Sequence, residues 1–475
     1  MTIREIQQQQ LFRLLHTAQD TEFGQQYDFK SIDTLEEFTG RIPISFYEDI
    51  KSRIESLKQG KENIFWPGKV NKYAVSAGTS GEGKHLPLTD ARLDADRSFM
   101  RKVVLNYLKQ HPNIFDLWGK HISIPGTLEK KDRYQIGEIS AYTAQQAPWW
   151  LTPFQLIDPT KLSQLPFDEK VNQTVTKAIN SDIRVITAVP SWILTMFKEV
   201  LNKTGASNIR EVWPNLTLLV CGGVKLANYK PHLEKLLDKP DVSFIETYGA
   251  SEGYFSFTDK LAKKDMKLVA DNGIFYEFVP NPLPDQDSMA VQETVPLWDV
   301  KPNTPYAMLV TTNSGLWRYA LNDIVEFTQT DPPRIKVMGR VSEMLDDYGE
   351  ALYAYEAEEA LHNVSEEMNF EVGNFTIGAI LEDDASAPKH IWFIRTETPL
   401  HRDTLNTLSQ KIDQELRKIN RHYAIRRESS ALTQPDIHTI SQQQINNWLA
   451  SKGKDKAQGK LPAILRNKQD ITFFQ

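Results

Sequence analysis

The sequence predicts an α/β protein in which a large N-terminal domain, with mostly parallel sheets and a β-subdomain, precedes a smaller α+β C-terminal domain. Three observations lead there. Between residues 183 and 245 short β-rich runs alternate with helical segments, the pattern of buried, largely parallel strands joined by helical crossovers. The 475 residues exceed what one hydrophobic core normally organises, so a large and a small domain are expected. A polar connection from Gly339-Arg340 through Ser342, Asp346, Asp347 and Gly349 then divides residues 1–339 from residues 340–475.

Composition narrows the classes. Hydrophobic residues at 40% and charged residues at 25% describe an ordinary globular protein. A net charge of −7 argues against a nucleic-acid partner, which needs a basic face. The single cysteine, Cys221, excludes an intrachain disulfide and any zinc site built on several thiolates, in keeping with a reducing cytoplasm. The N-terminal stretch lacks the apolar run of a signal peptide or membrane span, so a cytoplasmic protein without a membrane partner is expected. The oligomeric state stays open, and a monomer is compatible.

In chain order, residues 1–70 read as helices and loops, with Leu11, Leu14 and Leu15 on one face of the first helix. The only low-complexity piece is Gln7–Gln10, and nothing chemical stands out in this region. Tyr73-Ala74-Val75-Ser76-Ala77-Gly78-Thr79-Ser80-Gly81-Glu82-Gly83-Lys84 follows: an apolar run opening into a glycine- and hydroxyl-rich loop closed by a lysine. It reads as a phosphate cradle, because glycines let backbone N–H groups turn inward while hydroxyls and a mobile ammonium meet phosphoryl oxygens. An ordinary Gly/Ser hairpin is the competing reading. A Walker loop is disfavoured: His85 stands where a metal-binding Ser or Thr belongs, and Pro87 opposes a helix running on from the lysine. The next helix is expected from Thr89 or Asp90, with Leu93, Phe99, Val103, Val104, Tyr107 and Leu108 as its stripe.

Pro148-Trp149-Trp150 ends a loop-rich stretch; the tryptophans suit a pocket wall or, more commonly, plain core. Strands are expected at Ile183–Val189, Leu216–Val220 and Val242–Ile245, with helices from Ser191 and around Lys230–Leu237. Two of the strands lead into turns, Cys221-Gly222-Gly223-Val224 and Glu246-Thr247-Tyr248-Gly249-Ala250-Ser251-Glu252, where ligands of such sheets sit. Residues 280–305, rich in proline, read as a surface excursion, and Ala307–Thr311 and Ile324–Phe327 as antiparallel strands flanking Trp317-Arg318-Tyr319-Ala320-Leu321-Asn322-Asp323. The C-terminal part reads as a helix near Tyr355–Glu367, strands near Phe375–Leu381 and His390–Arg395, a helix striped with Leu405, Leu408, Ile412, Leu416 and Ile419, and a lysine-rich tail.

These motifs occur in an order that resembles the adenylate-forming enzymes, and in detail the GH3 acyl acid amido synthetases. The 76–89 loop with its Pro and Thr ending, Trp213-Pro214-Asn215-Leu216 running into Gly222-Gly223, Tyr248-Gly249-Ala250-Ser251-Glu252-Gly253-Tyr254-Phe255, and Trp317 to Val325 carry the resemblance, which spans roughly residues 70–465. Asn322 stands where the family usually has glycine, and Ser342-Glu343 where adenylate formers carry paired acidic residues after Gly-Arg.

The resemblance implies a ligase that joins a small carboxylic acid to ATP as acyl-AMP and passes the acyl group to an amino acid amine, with ATP and Mg²⁺ as cofactors. It implies that Ser76, Gly78, Thr79, Ser80 and Lys84 hold the β- and γ-phosphates and that Glu252 ligates Mg²⁺. Tyr248, Gly222 and Gly223 would meet adenine, Asp323 the ribose hydroxyls, and Arg340 the ribose or phosphate. A mobile C-terminal domain would present Lys460 to the carboxylate and α-phosphate as a catalytic residue beside Lys84 and Glu252. Arg101, Trp192 and Ile193, with Met196, are candidates for the acyl side. As single residues, Glu252 and Arg101 also read as solvated surface charges, Asp323 as a turn former, Arg340 as a boundary salt bridge and Trp192 and Ile193 as core. His85 and His121 are open as amine-side bases. Transfer to a thiol such as coenzyme A, or nucleotide binding without turnover, are the alternative functions.

Overall fold

The computed structural model describes residues 1–76, 84–146, 149–238, 241–282, 289–341, 343–345, 347–348, 350, 352–380, 388–396, 400–452 and 461–475. Contacts divide the chain into two units, one holding Met1–Asn281, Met289–Leu321 and Val325–Val337, the other chiefly Met338–Gln475 together with Asn322–Ile324.

The first unit opens with the helices Ile3–Ala18, Glu22–Gln26, Leu35–Arg41 and Tyr47–Lys58. Thr2 and Glu5 form a capping box on the first, and its Leu11, Leu14 and Leu15 are buried as the spacing predicts. The strands that follow are β1 (Lys72–Ser76), β2 (Lys84–Pro87), β3 (Lys120–Ser123), β4 (Leu128–Lys130) and β5 (Gln135–Gly137). After them come β6 (Ile183–Ala188), β7 (Leu218–Gly222), β8 (Ser243–Ala250), β9 (Gly253–Phe257) and β10 (Met266–Leu268). The last of this part are β11 (Ile274–Pro280), β12 (Val295–Pro296), β13 (Pro305–Thr312), β14 (Tyr319–Thr330) and β15 (Pro333–Arg340).

Among the described residues these strands make a four-stranded sheet, β2-β1-β5-β4, and an eleven-stranded one, β12-β11-β13-β14-β15-β10-β9-β8-β7-β6-β3. Strands β3, β6, β7 and β8 are parallel neighbours, and the helices Pro190–Thr204 and Lys230–Leu237 cross over between the last three. The alternation read from 183 to 245 is this parallel part. The antiparallel strands expected beyond it exist, and they continue the same sheet.

Three local expectations change. The stretch 246–250 is strand rather than turn: antiparallel pairing with β9 carries β8 through Tyr248 and Gly249 to Ala250, leaving only Ser251-Glu252 as the link. The excursion at 280–305 is partly core, since Leu297 and Val300 are buried and Val295-Pro296 form the edge strand, where proline's missing N–H costs no ladder bond. Trp149 is not core, being 84% exposed.

The second unit holds β16 (Met344–Leu345) paired with β17 (Leu352–Tyr353), then β18 (Val372–Ile380), β19 (Lys389–Thr396), β20 (Asp436–Thr439) and β21 (Ile464–Leu465) in the order β20-β19-β18-β21. The helices Ala354–Glu367 and Arg402–Ile419 cover it, and Leu408, Ile412 and Leu416 of the predicted stripe are buried. Among the described residues no helix is long and apolar enough to cross a membrane. Cys221 lies in the core, where burial pushes its thiol well above the usual range.

Candidate active site

The lysine-closed loop joins two antiparallel strands, with Ser76 opposite Lys84, Val75 opposite His85 and Tyr73 opposite Pro87. Lys84 therefore opens a strand, which excludes the Walker arrangement. The helix comes later, at Asp90–Gln110, capped by the Thr89 side chain accepting from the Arg92 N–H. Gly78, Thr79 and Ser80 lie outside the described residues.

The flank of this hairpin is held by residues from the region that looked chemically silent. The Lys84 ammonium stands 5.8 Å from the centroid of the Tyr47 ring, and the His85 N–H donates to the Tyr47 hydroxyl at 3.0 Å. His85 Nδ1 lies 2.5 Å from the Lys58 ammonium, which is itself paired with Glu55 at 2.6 Å. A ring nitrogen beside an ammonium serves as its acceptor. Tyr47 is placed by the segment before its helix. Ser45 donates its N–H to the Arg318 carbonyl at 3.0 Å and its hydroxyl to the Trp317 carbonyl at 2.8 Å, and the Ala320 N–H donates to the Ser45 carbonyl at 2.9 Å.

That zipper lays the segment before Tyr47 alongside Tyr319, whose hydroxyl feels the charges of both Glu252 and Tyr47. The Tyr319 hydroxyl is buried without a hydrogen-bond partner among the described residues; burial raises its pKa, and the charge of Glu252 and then Tyr47 add to the rise. Glu252 is 7% exposed, at the β8–β9 link. Lys84 with Tyr47, and Tyr47 and Glu252 with Tyr319, thus come within electrostatic reach from four separate stretches of sequence.

The adjoining strand ends are tightly apposed. Gly222 pairs with Thr247, and a Cβ at Gly222 would lie 2.6 Å from Thr247 Oγ1, which donates to the Cys221 carbonyl at 3.1 Å. Gly223 has φ +83°, open to glycine at no steric cost. Tyr248 is 9% exposed and packs one face on Phe255, with centroids 5.1 Å apart.

In the second unit, Arg340 Nε and Asp323 Oδ1 are 3.5 Å apart, the carboxylate mostly buried and the guanidinium half-exposed. Asn322 has φ +68°, and its carbonyl accepts from the Val341 N–H at 2.9 Å. Left-handed backbone suits glycine best and asparagine next.

Comparison with known proteins places this arrangement. Residues 1–198 match the GH3 family N-terminal domain, residues 267–340 its central domain and residues 355–469 its C-terminal domain. The chain belongs to the GH3 family. Two Arabidopsis thaliana relatives, indole-3-acetic acid-amido synthetases GH3.4 and GH3.3, are 23% and 22% identical, each over 76% of this chain and 71% of the relative. Among solved structures, AtGH3.15 acyl acid amido synthetase in complex with 2,4-DB has a TM-score of 0.79 at 16% identity, covering 99% of this chain and 93% of that one. A 2-hydroxyisobutyryl-CoA ligase in the postadenylation state in complex with 2-HIB-AMP has a TM-score of 0.57 at 11% identity, covering 97% and 89%. The likeness to both structures is one of fold.

The left-handed backbone at Asn322 gives a physical reason why this GH3 chain tolerates asparagine where the family usually has glycine. A nucleotide with its metal would find a carboxylate at Glu252, positive charge at Lys84 and open backbone at Gly223, whereas the Cβ side of Gly222 is filled by Thr247. No group of three or more His, Cys, Asp or Glu side chains suited to a metal occurs among the described residues. Magnesium bridged to phosphate oxygens needs only one or two protein carboxylates.

The other predicted residues are dispersed. Arg101 is exposed on the Asp90–Gln110 helix, and Val104 of the expected stripe is 46% exposed, one position off the buried face. Trp192 is 7% exposed and packs on Phe167 at 5.0 Å, while Ile193 and Met196 are fully buried in the core of the parallel strands. His121 Nε2 is 2.9 Å from the Leu117 carbonyl, and burial lowers its pKa. Lys460 lies outside the described residues. The sequence reading missed Tyr47 and Tyr319; the only signal for Tyr319 was its place inside the Trp317-to-Asp323 motif, and for Tyr47 there was none.

Proposed function

We propose that this GH3 protein is an ATP-dependent ligase that adenylates a small carboxylic acid and transfers the acyl group to the amine of an amino acid, releasing AMP and pyrophosphate. The meeting of Lys84, Tyr47, Tyr319 and Glu252 supports this most directly, because it brings the phosphate hairpin and the Tyr-Gly-Ala-Ser-Glu link into one neighbourhood. In the first half-reaction the acid's carboxylate attacks the α-phosphorus of ATP and pyrophosphate leaves. In the second the amine attacks the acyl carbon, AMP leaves, and the amine gives up one proton.

Both reactants of the first step are anions, so positioning and fixed positive charge carry the catalysis. Ser76, Gly78, Thr79, Ser80 and Lys84 hold the β- and γ-phosphates in this reading, with Lys84 kept beside the Tyr47 ring. Glu252 holds Mg²⁺, which neutralises charge on the phosphates. Adenine meets the backbone of Gly222 and Gly223 beside Tyr248 in this reading, with the open space on the Gly223 side. Asp323 accepts from the ribose hydroxyls, oriented by Arg340.

Lys460, carried by a mobile domain of residues 340–475 that follows an adenylation domain of residues 1–339, reaches the carboxylate and α-phosphate. Arg101, Trp192 and Ile193 are assigned to the acyl side; of these Arg101 has the solvent access that meeting a free acid requires, and Ile193 acts from inside the core. The cytoplasm, with its ATP and reducing conditions, is the assigned compartment.

A pyrophosphate-release assay with a library of acids, run with amino acids, with coenzyme A or with neither, tests the proposal. Release with ATP and an acid, and AMP turnover stimulated by an amino acid, is expected. Stimulation by coenzyme A alone would replace the amide reading by a thioester ligase, and no release with any acid would leave a nucleotide-binding protein.

A further inference from the structure

Beneath the Ser251-Glu252 link lies an ion pair that the ligase reading does not use. Arg92 and Asp96, one turn apart on the Asp90–Gln110 helix, are each 1% exposed, with Arg92 Nε donating to Asp96 Oδ1 at 2.8 Å. Arg92 Nη1 donates to the Ser251 carbonyl at 3.3 Å, the residue directly before Glu252. Arg92 Nη2 and Asp96 Oδ2 have no hydrogen-bond partner among the described residues. A buried pair with half its capacity unmet contributes little to folding compared with apolar side chains of the same size. Its place is therefore better explained by what it holds.

The helix that carries the pair is anchored at the right end. Thr89 Oγ1 donates to the Asn313 carbonyl at 2.6 Å and accepts from the Arg92 N–H at 3.1 Å, while Asn313 Nδ2 donates to the Ala91 carbonyl at 2.9 Å. This helix begins just after β2, so one rigid element links the end of the phosphate hairpin to the Glu252 link. On its inner side Phe99 stacks on Tyr254 at 5.1 Å, and the Tyr254 hydroxyl is 3.3 Å from Thr143 Oγ1.

We propose that Arg92, oriented by Asp96, is a positioning residue that fixes the Ser251 carbonyl and so aims the Glu252 carboxylate at the metal of a bound metal–nucleotide complex. The proposal rests on the assignment of Glu252 to Mg²⁺ made above. Removing the guanidinium leaves Glu252 chemically intact but releases the Ser251 carbonyl that precedes it, so the loss appears in metal dependence.

The test uses the full chain and three variants: Arg92→Met with Asp96→Leu, which replaces the pair by apolar side chains of similar size, Asp96→Asn, and Arg92→Lys. ATP affinity is measured by calorimetry across a Mg²⁺ titration, with thermal unfolding alongside. The double variant is expected to unfold near the wild-type temperature and to need about tenfold more Mg²⁺ for the same gain in ATP affinity, the size typical of lost support behind a metal ligand. Asp96→Asn should show a smaller shift of the same sign and Arg92→Lys a partial recovery. A folded double variant or Asp96→Asn protein with wild-type Mg²⁺ dependence would overturn the role. Weaker ATP binding by the same factor with and without Mg²⁺ would also overturn it, marking the pair as packing. If wild type binds ATP with no response to Mg²⁺, the assignment of Glu252 fails first and the proposal with it. If wild type responds to Mg²⁺ but releases no pyrophosphate with any acid, only the ligase reading fails.

Discussion

Arg318 and Glu277 form a buried, closed ion pair: Arg318 Nη2 lies 2.9 Å from Glu277 Oε1, and Nε is 3.1 Å from both carboxylate oxygens. The remaining donors go to the Thr39 carbonyl at 2.8 Å, the Ile42 carbonyl at 2.7 Å and Thr294 Oγ1 at 3.0 Å. The arginine of the Trp-Arg-Tyr-Ala motif is thus a structural rivet, tying β11 and the C-terminal end of the Leu35–Arg41 helix to the base of the motif, with Tyr319 as its neighbour. Arg318→Met alone strands the Glu277 carboxylate and should cost about 3–5 kcal/mol in urea unfolding. The Glu277→Gln, Arg318→Met pair should recover part of that loss.

Gly222 has no room for a methyl group. An added Cβ would stand 2.6 Å from Thr247 Oγ1 and 3.3 Å from the Thr247 carbonyl, so Gly222→Ala must push β7 from β8 or displace the threonine side chain. A loss of about 1–3 kcal/mol is expected, the usual cost of overpacking. It should come with a raised KM for ATP. Thr247→Ala in the same chain removes the closer obstacle and should restore most of the stability in the same unfolding assay.

Lys84 and Tyr47 can be separated kinetically. Lys84→Met should lower the rate of pyrophosphate release by about 10²–10³-fold, the scale of losing one preorganised electrostatic group, while transfer from preformed acyl-AMP changes little. Tyr47→Phe keeps the ring beside the lysine and loses only the acceptor for the His85 N–H, so about 1 kcal/mol of stability and little rate should go. Equal effects of Lys84→Met on both half-reactions would remove it from the phosphate role.

Glu356 makes the second unit sensitive to pH. Its Oε2 accepts from the Tyr353 N–H at 2.9 Å and from Asn420 Nδ2 at 2.7 Å, yet burial outweighs both and raises its pKa to about 7. The folded state then holds this proton where the unfolded state, with its ordinary value of 4.5, releases it. Stability should therefore fall as pH rises from about 4.5 to about 7 and level off above, with this group accounting for up to about 3 kcal/mol. Glu356→Gln keeps an oxygen for both donors without the charge. Its unfolding midpoints at pH 5 and pH 8 should lie closer together than those of the wild type.

What could be read from the sequence was local. The parallel strands expected at 183–189, 216–220 and 242–245 declared themselves through apolar runs, and the loop before Lys84 and the Gly222-Gly223 turn through their glycines. The extension of β8 through Tyr248 was hidden, because it depends on pairing with β9, and no residue within 246–250 announces an antiparallel partner. Arg318 reaching Glu277, Tyr47 reaching His85 and Arg92 reaching Ser251 are long-range choices that periodicity does not encode. Arg101 and Val104 show the limit from the other side, since a helical stripe fixes a face only to within one position.

Gln7, in the glutamine run of the first helix, is fully buried: Nε2 donates to the Ala270 carbonyl at 2.6 Å and the Ile274 carbonyl at 3.0 Å, and Oε1 accepts from the Tyr276 N–H at 2.9 Å. Gln10, three residues on and so on the same side, accepts from the Gly273 N–H at 3.2 Å. A repeat of one residue type invites copying slippage, yet here the register is fixed from outside. Dropping a single glutamine while the leucines keep their seats would rotate everything upstream by about 100° and set Ile6 against three backbone polar groups that it cannot satisfy. The tract's length is therefore fixed by packing as firmly as the identity of a core residue, although its composition looks like the most expendable stretch of the chain.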